Sequence, residues 1–201
     1  MKILLTSLLL TFSINLYADG CNTPDWVFPP KMEGKILVLR IKGTCTLDRI
    51  GTFNSLRDHF VKNVTKNSEV VKVHQINENT TLGNLPATDI DSTLDLKNKD
   101  GNMTVRFLTK VGTDGQDHFI MDQDSKEFVK ASGNAKYVRR LYFNYDVKTS
   151  GGGVVVEIVQ ETQLQSPGMF ESIFIKEATK AVKNTFSADL PRITKEISDN
   201  F

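Results

Sequence analysis

The residues able to do chemistry are few in this sequence, and they are poorly spaced for it. Three histidines occur, His59, His74 and His118. His59 lies in an amphipathic segment, His74 alternates with Val73, and His118 precedes Phe119. Nothing in their order brings them together, so no metal triad is expected. Two cysteines occur, Cys21 and Cys45. A zinc site needs clustered Cys and His ligands, and a Cys–His nucleophile needs a free thiolate. Two cysteines far apart, without histidines beside them, serve either purpose badly. Gly-x-Ser-x-Gly, His-Glu-x-x-His and phosphate-loop motifs are missing. The triple glycine 151–153 joins two alternating segments instead of opening a helix, which reads as a hairpin turn. Asp122-x-Asp124 begins like a calcium loop, but Glu127 stands where such a loop requires glycine, so a solvated turn is expected. Asp89, Asp91 and Asp95 share one face of an alternating segment. They read as an acid site or as an exposed face opposite Ile90, Leu94 and Leu96, and the second reading needs no further assumption. No catalytic residue, metal or cofactor is assigned.

The elements that must hold any site are clearer. Lys35–Leu47 alternates as a strand, with Leu37, Leu39, Ile41 and Cys45 on one face. Asp48–Lys66 changes period: Ile50, Phe53, Leu56, Phe60 and Val64 recur as one helix or two short ones require. Glu69–Ile76 returns to strand, and Asn77–Pro86 reads as a polar loop. Thr88–Leu96, Asn102–Val111 and Gln116–Met121 are expected strands. Asp122–Lys136 is ambiguous, with a short strand over Lys126–Ala131. Tyr137–Lys148 and Gly153–Leu164 are long alternating strands. Ser166-Pro167 suits the N-cap and first position of a helix. From there Phe170, Phe174, Ala178, Ala181, Val182, Phe186, Ile193 and Ile197 recur at helical spacing, and Pro191 is expected to bend or interrupt the helix. The order defines one α+β domain: a curved antiparallel sheet gripping a long C-terminal helix, with short helices after the first strand.

The ends of the chain speak to compartment. Residues 1–18 combine Lys2, an apolar run over Ile3–Phe12 too short to span a bilayer, and a small residue, Ala18. This reads as a signal peptide, followed by an extended segment over 19–34 and the domain over 35–201. Export to the periplasm or the medium follows. Cys21 would suit lipid attachment only if Asp19 were a small residue, so a lipoprotein is the less favoured form. In an oxidising compartment Cys21 and Cys45 read as a disulfide. The formal net charge of +1 falls to zero once Lys2 is removed, and a neutral domain is a poor partner for nucleic acid.

A strand, then Arg57–Val64 leading into Asn67–Val73, then successive antiparallel strands, and finally Tyr142–Leu164 followed by Ser166-Pro167-Gly168-Met169-Phe170 resembles the START-like helix-grip superfamily. That group includes START lipid-transfer domains, polyketide cyclases and plant pathogenesis-related allergens. The resemblance covers roughly residues 35–197 and is one of layout. It implies a cavity between sheet and helix. Strand alternation places Phe107, Phe119, Leu141, Phe143 and Ile158 on apolar faces, and Phe174 and Ala178 face them from the helix. These seven residues are the expected lining for an apolar partner such as a lipid or quinone, exchanged through transient contact with a membrane. Arg139 and Gln160, polar residues on the same faces, are expected to orient a polar end. The alternatives are a cyclase- or hydrolase-type enzyme using that cavity, and an envelope interaction protein with a filled core. The sequence leaves the oligomeric state open.

Overall fold

Side-chain alternation builds most of the molecule. The computed structural model describes residues 20–48, 51–98, 101–168 and 171–201; the expected signal peptide, Ile50 and Phe170 lie outside the described residues. The elements are β1 (Asp25–Trp26), β2 (Lys31–Glu33), β3 (Ile36–Leu47), α1 (Phe53–Lys66), β4 (Val70–Leu82), β5 (Leu85–Asn98), β6 (Gly101–Thr113), β7 (His118–Ala131), a 3-10 turn (Gly133–Tyr137), β8 (Val138–Ser150), β9 (Gly153–Gln165) and α2 (Glu171–Asp199). All strands join one antiparallel sheet in the order β1-β3-β9-β8-β7-β6-β5-β4, with β2 also paired to β3. Register shifts in β4–β5, β6–β7 and β8–β9 mark bulges, which bend and twist a sheet. The expected helix-grip architecture is present, with one helix after the first strands.

Both helices lie on one face of the sheet. α1 packs over β4 to β7 and α2 over β3 and β9. Thr52 caps α1 by accepting from Ser55 N, and Phe53, Leu56, Phe60 and Val64 are its buried stripe. α2 buries Phe174, Ala178, Val182, Phe186, Leu190, Ile193 and Ile197. Gly43 lets it sit close, because a Cβ there would lie 2.5 Å from Leu190 Cδ2.

Four expectations change. Asn77–Pro86 is a hairpin instead of a loop: β4 runs to Leu82 and pairs Leu82 with Leu85 around Gly83 at φ +59. Its polar composition belongs to a largely exposed edge strand. Asp122 and Asp124 lie within β7, not in a turn. The described helix begins at Glu171, and Ser166 instead accepts from Gly168 N at 3.2 Å. α2 runs through Pro191 without interruption, so of the bend or break expected there the break does not occur.

Candidate functional site

Register carries the inward faces across the sheet. One row of partners reads Ile41, Gln160, Phe143, Gln123, Thr109 and Ile90. The next pairs Leu39 with Thr162 and Thr162 with Leu141. It continues through Leu141 N, which donates to Ser125 Oγ at 2.9 Å, then through Phe107 to Ser92. The middle of the sheet therefore carries a belt of uncharged polar side chains within an apolar face. Gln160 Nε2 donates to Thr162 Oγ1 at 3.2 Å, and Gln123 Nε2 donates to Thr109 Oγ1 at 3.1 Å. Ser92 Oγ is buried without a partner. Gln160 was legible as an inward polar position, and Thr162 shares its face of β9. Ser92, Thr109 and Gln123 were missed: alternation marks the first two, Ser92 between Ile90 and Leu94 and Thr109 between Phe107 and Val111, whereas Gln123 lies beyond the strand expected to end at Met121.

Next to this belt the two helices leave a crevice of about 70 Å³. Its apolar walls are Phe60 and Val64 of α1 with Leu94, Leu96, Met121 and Tyr145 of the sheet, and Gln123 reaches it from the belt. Asn63, Asn67, Glu69 and Glu196 complete the lining. There α1 and α2 are tied together. His59 Nε2 lies 2.8 Å from Glu196 Oε1, and Asn63 Nδ2 donates to the same oxygen at 2.9 Å. Phe60 reaches inward, stacking on Phe119 at 5.4 Å and meeting Tyr145 at 5.6 Å between ring centroids. Burial, reinforced by Glu196 and Asp189, raises the Tyr145 hydroxyl well above the ordinary phenol range, so it stays neutral. Burial also pushes the Glu69 carboxyl up, against the pull of Lys97.

Most of the expected ligand contacts sit in the packed core beside this crevice. Phe107, Phe119, Leu141, Phe143, Ile158, Phe174 and Ala178 are buried in one continuous apolar cluster. Alternation placed their faces correctly, and the aromatic side chains of α1 and α2 fill the space over them. Gln160 faces inward, half-buried. Arg139 does not. The bulge between Val138 and Arg140 shifts the alternation by one residue, so Val138 takes the inward position. Arg139 is exposed and donates to Lys136 O at 2.7 Å, to Val138 O at 3.0 Å and to Gln165 Oε1.

The remaining reactive types are accounted for elsewhere. Cys21 and Cys45 form a disulfide, with Thr194 Oγ1 of α2 3.1 Å from Cys45 Sγ. The aspartates on the other face are paired: Asp91 with Arg106 through two bonds of 2.8 and 2.6 Å, Asp89 with Lys110 at 3.0 Å, and Asp95 with Thr104 at 2.6 Å. Asp122 accepts from Tyr142 and Asn144, and Asp124 from Arg140. His118 meets Asp146 at 2.8 Å. Among the described residues no group of three or more His, Cys, Asp or Glu side chains could hold a metal ion, and no helix is long and apolar enough to cross a membrane.

No protein-family model matches the chain, and neither does any curated protein. Similar solved structures include TTHA0849 from Thermus thermophilus, at 12% identity and a TM-score of 0.45, covering 80% of this chain and 97% of that one. Human STARD10 aligns at 15% identity and a TM-score of 0.39, covering 89% of this chain and 78% of its own. Truncated norcoclaurine synthase from Thalictrum flavum aligns at 12% identity and a TM-score of 0.36, covering 80% and 97%. The functional reading therefore rests on this chain's own residues.

Proposed function

We propose that this is an exported binding protein that holds an apolar small molecule between its sheet and its two helices. The observation that carries the reading is the crevice between α1 and the sheet: walled by Phe60, Val64, Leu94, Leu96, Met121 and Tyr145, it is continuous with an inward face that bears no charge. Apolar burial would drive binding at roughly 25 cal/mol per Å² before the costs of association. At about 70 Å³ the crevice has room for a few water molecules, whereas small-molecule pockets start at about 300 Å³. Binding on this reading parts α1 from α2 at the His59–Asn63–Glu196 contact. The N-terminal leader and the disulfide support export, and exchange at a membrane surface would supply the ligand.

The enzyme alternative draws support from one observation: His59 and Glu196 form a histidine–carboxylate pair at the crevice, an arrangement suited to proton transfer. The binding reading is tested by titrating an environment-sensitive apolar dye into the wild type and into Val64→Trp, which fills the crevice from α1. Saturable wild-type binding that is lost in a folded Val64→Trp chain supports it. No wild-type binding, or binding unchanged by the substitution, contradicts it.

A further inference from the structure

We infer that the ligand is an amphiphile whose polar group is an uncharged oxygen function, a hydroxyl or a carbonyl, and not an acid, a phosphate or an amine. This rests on the binding reading above and deepens it. Among the described residues, every position on the inward faces of β3 and β5 to β9 is uncharged, and so is the buried stripe of each helix. Arg57 reaches the end of this face at Thr88, donating to its Oγ1 at 2.8 Å, and Glu69 and Glu196 stand at the crevice; the inward rows themselves hold no cation to receive a carboxylate or phosphate and no carboxylate to receive an ammonium ion. Burying an unpaired ion is far costlier than burying a neutral polar group, so a charged head cannot follow its apolar body into this face. A pure hydrocarbon does not fit either. The face places Ser92, Thr109, Gln123, Gln160 and Thr162 at inward positions, where a core needs only apolar packing.

Two of these keep hydrogen-bonding capacity in hand. Ser92 Oγ is fully buried and unpartnered, a state that is rare in protein interiors. Gln123, which lines the crevice, uses one amide hydrogen on Thr109 and carries a carbonyl oxygen as a further acceptor. Ser92 lies on β5 one diagonal step from Thr109, whose direct partner is Gln123, so these groups form a short polar track leading inward from the crevice. At its outer end Glu69 and Glu196 line the same crevice, which disfavours an anionic head there as well; Glu196 is already engaged by His59 and Asn63 and burial raises the Glu69 carboxyl, so neither stands as a free partner for an ammonium ion. Tyr145, held neutral by burial, adds a hydroxyl rather than a charge.

The test compares four probes that share one alkyl chain: hexadecanol, methyl palmitate, palmitate and hexadecylamine, each delivered from cyclodextrin at neutral pH to the full mature protein. Occupancy is read by native mass spectrometry. The expected result is that hexadecanol and methyl palmitate bind at least about tenfold more tightly than palmitate and hexadecylamine, a gap of about 1.4 kcal/mol. Ser92→Ala, nearly isosteric, should narrow the preference for hexadecanol while leaving the chain folded. Gln123→Met, which keeps the length and loses the amide, should do the same. Palmitate or hexadecylamine binding as well as the neutral probes overturns this inference and leaves the binding reading standing. Unchanged selectivity in both variants also overturns it. Failure of all four probes to bind overturns the binding reading itself, and this inference with it.

Discussion

At the scale of single residues, the chemistry of this chain lies less in its titratable groups than in where neutral polar ones are placed. The contact of His59 and Asn63 with Glu196 ties α1 to α2 at the crevice, and its side chains are partly exposed. Its worth is about 1 kcal/mol after allowance for solvent. His59→Ala or Glu196→Ala should therefore raise the population with parted helices roughly fivefold. Stopped-flow uptake of an apolar dye should speed up by a similar factor, and an unchanged rate would mean that entry lies elsewhere. Asp91 tests the opposite face. Its bidentate bond to Arg106 holds its carboxyl below the ordinary value. The folded state is then favoured above the ordinary carboxylate range, and that contribution disappears as pH falls through the depressed value. Arg106→Met should make the acid limb of a stability–pH profile shallower and leave the neutral-pH binding of a dye unchanged. Arg139 shows how a residue is misread from sequence. A bulge adds one residue to the strand, and period-two reasoning then assigns the wrong face to whatever precedes it. Ser92 could have been read by that same reasoning, because no bulge interrupts the alternation between Ile90 and Ser92; Gln123 could not, because the expected strand ended at Met121 and its aspartate neighbours read as a turn.

At the scale of elements, the long strands and the amphipathic helices could be read because their periods differ and persist over many residues. The β8–β9 turn could be read because Gly151 and Gly152 adopt the positive φ that a two-residue hairpin needs. The edge strand β4 could not. Its side chains are mostly exposed, so hydrophobicity marks neither of its faces, and only pairing to β5 makes it a strand. The position of α1 over β4 to β7 was equally hidden. Its stripe declares that Phe60 and Val64 are buried but not against which strands, and for that reason the expected lining was drawn from α2 instead. Two predictions belong here. Gly43→Ala puts a methyl group into Leu190 and should cost about 1–3 kcal/mol, seen as a lower denaturant midpoint with an unchanged slope. Replacing Cys21 and Cys45 by serine releases the N-terminal segment from β3 and should cost about 3 kcal/mol, or roughly 10 °C in melting temperature. A double variant as stable as the wild type would show that the segment is held by β1 and β2 pairing alone.

At the scale of the whole molecule, the sheet has one charged, paired face and one uncharged face shared by two helices. The first explains the aspartates without any site. The second carries more polar groups than a core of this kind requires, and it opens beside a crevice whose closure depends on a few side chains. The central claim is that a small apolar molecule with a neutral polar group occupies the space between sheet and helices. The most direct measurement is a native mass spectrum of the mature protein purified from its own host without detergent, followed by extraction and mass determination of whatever dissociates. The expected spectrum shows a discrete adduct in substoichiometric to equal ratio, released on unfolding, absent from Val64→Trp, and carrying an uncharged oxygen function. A wild-type spectrum that shows only the bare chain, from host material that was never delipidated, would contradict the claim.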